Sequence, residues 1–110
     1  MSLWSIVYYA DEHGRTPVLD FLRTLTLKER NAVVRHIDLL EEFGPLAPDL
    51  VHVQGDIWEI KAGPARVFYV AYTGRRFLIL HGYYKRGRKA PRREIETAER
   101  RLADYVARDR

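Results

Sequence analysis

The sequence predicts an α+β fold with the element order β-α-α-β-β-β-α, and three observations carry that prediction. A first aromatic and β-branched segment is followed by two stretches with apolar residues at helical spacing. Three further segments of strand composition come next, separated by short turn signals, and a one-sided helix closes the chain. The simplest assembly packs helices against one face of a largely antiparallel sheet and leaves the other face free. At 110 residues, the whole of 1–110 is expected to form one domain with a core of its own.

Leu3-Trp4-Ser5-Ile6-Val7-Tyr8-Tyr9 reads as the first strand and ends in the polar turn Asp11-Glu12-His13-Gly14. Thr16 before Pro17 marks a helix start, with Val18, Phe21, Leu22 and Leu25 on one face. Thr26-Leu27-Lys28-Glu29 matches a capping box. Val33, Ile37, Leu40 and Phe43 then recur at helical spacing until Gly44-Pro45 stops the run, which completes a helical hairpin. A proline-containing connector leads to strands over Asp56 to Lys61, Arg66 to Tyr72 and Phe77 to His81. Ala62-Gly63-Pro64 and Thr73-Gly74-Arg75 are short enough for hairpin turns, so a meander is expected. Pro91 is expected as the first residue of the last helix, whose apolar stripe is Ile95, Ala98, Leu102 and Tyr105 or Val106.

With 46% hydrophobic and 31% charged residues the chain has the balance of an ordered protein rather than a disordered one. No apolar run approaches the roughly 18 residues a membrane helix needs, and the start lacks a secretory pattern, so a cytoplasmic location is expected. The absence of cysteine excludes disulfides and thiol chemistry. His13, His36, His52 and His81 show no short ligand spacing, so neither a metal nor a cofactor is expected.

Charge is divided along the chain. Residues 1 to 60 carry five Lys/Arg against ten Asp/Glu, a net −5, whereas residues 61 to 110 carry fourteen against five, a net +9. Six of the nine residues from Lys85 to Arg93 are cationic, a density that attracts a polyanion such as a phosphate backbone. A solvated loop leading into a basic helix start has the same composition.

Three sites in the second half stand together in one order: Asp56-Ile57-Trp58-Glu59-Ile60-Lys61, Arg66-Val67-Phe68-Tyr69, and His81-Gly82-Tyr83-Tyr84-Lys85-Arg86 followed by Pro91 and Glu94-Ile95-Glu96-Thr97-Ala98. In this order the chain resembles the RelE/HigB toxin superfamily of type II toxin–antitoxin systems, and within it the phage Gp49-like branch. The C-terminal half carries the resemblance; the N-terminal strand and hairpin agree only in the order of elements. The resemblance implies a microbial RNase-like sheet and a ribosome-dependent mRNA endonuclease that uses the RNA's own 2′-hydroxyl as nucleophile, without a metal. It also implies as partners the ribosome with its mRNA and an antitoxin of the helix-turn-helix, HigA-like kind, with no membrane involved.

On that resemblance Arg66 is the cation on the scissile phosphate, and its planar fork suits two phosphate oxygens. The plainer reading is a strand-end arginine paired with Glu59. Such a surface arginine would contribute little to stability. Lys61 aligns with a strand lysine that serves as acid or phosphate contact; two residues after Glu59, it shares that residue's face. Lys85 and Arg86 follow the last strand in the family's basic position, while Arg88, Lys89, Arg92 and Arg93 are expected to bind RNA, with Tyr84 as a stacking aromatic. Simple alternation puts His81 on the face of Ile79, as a packed residue or as a base. A C-terminal tyrosine that acts as a candidate base in relatives has no equivalent in Arg92-Arg93-Glu94, which leaves Glu59 and Tyr84 as substitutes. The alternatives are a ParE-like toxin that inhibits gyrase by binding, and a non-catalytic nucleic-acid-binding module.

Overall fold

The computed structural model describes residues 3–109. It is an α+β arrangement around one five-stranded sheet: β1 (Ser5–Tyr8), α1 (Pro17–Arg23), α2 (Leu27–Phe43), β2 (Leu50–Gln54), β3 (Ile57–Ala62), β4 (Ala65–Tyr72), β5 (Arg76–Tyr84) and α3 (Arg92–Arg108), with a 3₁₀ turn over Gly44–Leu46. The strand order is β1-β5-β4-β3-β2. The meander of β3, β4 and β5 is as expected, with three corrections.

The connector after α2 contains a strand, β2, which forms an antiparallel hairpin with β3. The short β-branched segment Leu50-Val51-His52-Val53 lies behind Pro45 and Pro48, and Gly55 supplies the positive φ of the turn. Secondly, β1 joins β5 in parallel, so the sheet is mixed. Thirdly, the face expected to be free carries α3. Val18, Leu22, Val33, Ile37 and Leu40 of the helical hairpin pack on Ile60, Val67, Tyr69, Phe77 and Ile79. Ile95, Ala98, Leu102 and Tyr105 of α3 pack on Ile57, Phe68, Val70, Leu78 and Leu80, the alternate residues of the same strands. The central strand β4 is buried from Val67 to Val70, so both its faces need a cover. At roughly 1.5–3 kcal/mol for each fully buried large apolar side chain, leaving Phe68, Val70, Leu78 and Leu80 in water would cost several kcal/mol.

The hairpin helices begin as their sequences dictate. Pro17 opens α1, and in α2 the Thr26 hydroxyl accepts from the Glu29 N–H while the Glu29 carboxylate accepts from the Thr26 N–H. Pro91 caps α3 rather than entering it, and the helix starts at Arg92.

One irregularity sets up the site. Phe68 pairs with His81 but Tyr69 pairs with Ile79, so Leu80 is an extra residue in β5. This bulge reverses the alternation beyond it. His81 therefore lies on the α3 side, opposite to Ile79, and Tyr83 follows it there, whereas Gly82 faces the hairpin. A Cβ at Gly82 would stand 2.4 Å from Cδ2 of Phe21, so the close approach of α1 to β5 requires glycine.

Candidate active site

The site is built where β3, β4 and β5 run out beyond the N-terminal end of α3. Odd-numbered residues of β3 face α3, which puts Glu59 and Lys61 on that side; across the β3–β4 turn Lys61 pairs with Arg66, and Arg66 pairs in turn with Tyr83 of β5. Three adjoining strands thus bring Glu59, Lys61, Arg66 and Tyr83 into one patch.

Glu59 is 4% exposed and is the buried charged residue of the core. The Tyr83 hydroxyl donates to its Oε2 at 2.7 Å, and Nε of Arg66 lies 3.5 Å from its Oε1. Arg66 also donates through Nη1 to the Gly63 carbonyl, which pins the guanidinium beside the β3–β4 turn. Its Nε is buried and makes no hydrogen bond, the only such side-chain atom among the described residues. The pairing of Arg66 with Glu59, the plainer expectation, is therefore present. A guanidinium held there can also bind phosphate oxygens. Burial, followed by the Glu59 contact, pushes the Tyr83 hydroxyl far above the ordinary tyrosine range, so it stays protonated and donating.

His81 is held on both sides. Arg101 of α3 donates to its Nδ1 at 2.9 Å and to the Leu80 carbonyl at 2.9 Å. Arginine has no acceptor, so Nε2 carries the proton and donates to Glu94 at 2.8 Å. Burial lowers the imidazole pKa, with Glu94 opposing and Arg101 adding to the effect. With both nitrogens engaged, His81 is a packed residue that ties the start of α3 to the sheet.

The other expected residues are distributed around this patch. Lys61 is exposed at its rim, and the Lys85 N–H donates to the Pro64 carbonyl at 2.8 Å, which sets that residue beside the β3–β4 turn. Arg86 stands 6.0 Å over the Tyr84 ring. Arg88, Lys89, Arg92 and Arg93 are exposed; Arg92 pairs with Glu96 at 3.2 Å and Arg93 approaches Glu94 at 4.0 Å. Tyr84 is not brought to the patch: it faces the hairpin, and its hydroxyl donates to Glu29, which raises its pKa. The residues that sequence reasoning passed over are Tyr83, Glu94 and Arg101. Tyr83 was within reach, as the neighbour of Arg66 in the expected meander, but the bulge concealed its face. Among the described residues no three His, Asp or Glu side chains are grouped as metal ligands would be, and no helix is long and apolar enough to cross a membrane.

The fold and site together define a small α+β protein with a cation-rich sheet end and, among the described residues, one buried carboxylate. The family described as phage derived protein Gp49-like (DUF891) matches residues 20–103, and the chain belongs to it. Membership points to the toxin of a toxin–antitoxin pair and so implies an antitoxin partner. No curated protein matches the chain.

Proposed function

We propose that residues 1–110 act as one toxin domain, a ribosome-dependent mRNA endonuclease that cleaves by attack of the RNA 2′-hydroxyl without a metal. The observation that carries this reading is the Glu59–Arg66–Tyr83 triangle with Lys61 beside it, at the end of the sheet from which the basic segment Lys85–Arg93 departs. In the proposed reaction the Glu59 carboxylate takes the 2′-hydroxyl proton and the 2′-oxygen forms a bond to phosphorus. The bond from phosphorus to the 5′-oxygen breaks, and that oxygen receives a proton from Lys61 or Lys85. The products are a 2′,3′-cyclic phosphate and a 5′-hydroxyl. Arg66 holds the phosphate against Glu59, Lys85 and Arg86 flank it, and Arg88, Lys89, Arg92 and Arg93 bind ribosomal or messenger RNA backbone. Tyr84, turned toward Glu29, retains an RNA-stacking role only if it leaves that partner.

A gyrase inhibitor that acts by binding has no need of a cation pair set against a buried carboxylate. The test is controlled expression in growing cells with mapping of mRNA 5′ ends. Cuts that are in frame and depend on translation are expected. Growth arrest with intact mRNA, or with DNA damage instead, would overturn the proposal.

A further inference from the structure

On the face of the sheet that the hairpin covers, opposite the candidate site, lies a cavity of about 250 Å³ whose walls include Trp58, Tyr69, Phe77, Ala71 and Asp56. Strand register gathers the three rings. Trp58 pairs with Tyr69 across β3 and β4, and Ala71 pairs with Phe77 across β4 and β5. The Tyr69 and Phe77 rings meet edge to face with centroids 5.5 Å apart. Ala71 is the small residue among them, and the space it does not fill belongs to the cavity.

The chemistry of these walls suits a positive charge. Asp56 is the one charged side chain on the cavity, and among the described residues it forms no ion pair. Trp58 is 40% exposed, an aromatic surface left open to water. Elsewhere the chain sets its own guanidinium groups over aromatic rings, at Tyr9, Tyr72 and Tyr84, but none of the described cations stands over Trp58, Tyr69 or Phe77. Tyr69 adds one neutral polar group. The residue is 3% exposed, burial alone pushes its hydroxyl up to about 12, and no hydrogen bond engages that hydroxyl among the described residues. Since Nε of Arg66 is the only unbonded side-chain atom sealed from water among them, the Tyr69 oxygen keeps access to the cavity that its ring lines.

We propose that this cavity binds a small organic cation, with a compact alkylammonium head and a hydroxyl or similar polar group a few bonds away. The head packs on Trp58 and against Tyr69 and Phe77, where aromatic rings attract a positive charge. Asp56 pairs with that charge, and the Tyr69 hydroxyl bonds the polar end. Sites for drug-sized ligands usually run to about 300–1,000 Å³, so the smaller volume here favours a compact ligand. A nucleotide would set a phosphate beside Asp56 with no cation on the walls to receive it. The cavity faces away from the Glu59–Arg66 patch, and the proposal stands independently of the nuclease reading.

The probes are choline and its neutral isostere, with carbon in place of the quaternary nitrogen, titrated into the purified full chain at constant ionic strength. Binding is read from tryptophan fluorescence and from the chemical shift of the Trp58 indole N–H. Choline is expected to bind saturably and roughly 5- to 30-fold more tightly than the isostere, the range of a partly desolvated cation–π contact. Asp56→Asn should weaken choline and leave the isostere unchanged, because only the charged probe pairs with Asp56. Ala71→Leu fills the cavity and should weaken both. Asp56 and Ala71 are exposed, so both variants keep the fold. Equal affinity of the two probes for the wild type would show an ordinary apolar cavity and overturn the proposal. So would the absence of saturable choline binding, or a preference for choline that survives both variants, which would place the cation elsewhere on the chain. Tighter binding of uridine monophosphate than of choline would overturn it in favour of a nucleotide.

Discussion

Replacing Arg66 by alanine is the obvious test of a catalytic cation, and the structure argues that it will also damage the fold. The Arg66 side chain is only 13% exposed, and its partner Glu59 is buried. Removing one member of a buried pair leaves a charge without compensation, at a cost of roughly 3–5 kcal/mol. The 3.5 Å separation and the remaining Tyr83 hydrogen bond put this case toward the lower end, about 3 kcal/mol. Against a total stability on the order of 5–15 kcal/mol that is a large fraction. The expectation that a strand-end surface arginine contributes little therefore does not apply to this one. Urea unfolding of the wild type, Arg66→Ala, Glu59→Gln and the double variant would measure it. Arg66→Ala should lose about 2–4 kcal/mol, and the double variant should lose less than the sum by about 1–2 kcal/mol. Stability of Arg66→Ala within about 0.5 kcal/mol of wild type, with no coupling, would refute the argument. If it holds, lost activity in Arg66→Ala cannot be assigned to chemistry without a matched stability measurement.

Lys61→Ala is the cleaner probe: exposed, it should leave the urea midpoint unchanged while translation-dependent mRNA cleavage falls by roughly 10²-fold. Neutralising Arg88, Lys89, Arg92 and Arg93 together should weaken ribosome binding and reduce its salt slope by up to about three to four units, as measured by titration over a range of salt; an unchanged slope would mean a merely solvated run. His81 has a folded pKa below its ordinary 6.5, so the stability it contributes is complete above 6.5 and is lost as pH falls through the lower, folded value. Unfolding midpoints measured between pH 7 and pH 5 should show that loss in the wild type and much less of it in His81→Gln. Gly82→Ala should lower the thermal midpoint, at about 1–3 kcal/mol for the clash with Phe21, and Phe21→Leu in the same chain should recover part of it.

What the sequence made legible were the elements with strong local signals. The Thr26–Glu29 box, the hairpin turns at Gly63 and Gly74 and the stripe of α3 each specify their own conformation. β2 was missed because a short, exposed edge strand buries too little to show a pattern; along Leu50–Gln54 neither hydropathy nor burial alternates regularly. The cover over the second face was readable in retrospect from Val67-Phe68-Tyr69-Val70, since a continuous apolar run is what a strand buried on both faces displays. In the candidate site, strand alternation put Glu59 and Lys61 on one face and the hairpin brought Arg66 within reach of Glu59, whereas the pairing of Lys61 with Arg66 is a matter of register that the structure supplies. His81 was put on the wrong face, because a bulge is a matter of register between two strands and leaves no local mark.

That bulge is also what gives the candidate site its third strand. Were Leu80 paired in regular register rather than bulged, alternation would turn Tyr83 toward the hairpin and Tyr84 toward α3, and Glu59 would face Arg66 with no hydroxyl to share its charge. Arg101 fills the opening the bulge leaves, satisfying the Leu80 carbonyl and fixing the His81 tautomer at once. Through Glu94, His81 anchors the first turn of the helix that follows the Lys85–Arg93 run. The local register at the bulge thus goes together with both the carboxylate's hydroxyl partner and the anchoring of the helix that follows the cationic segment. Changes at Arg101, which touches neither Glu59 nor Arg66 by any contact described above, should for that reason disturb both.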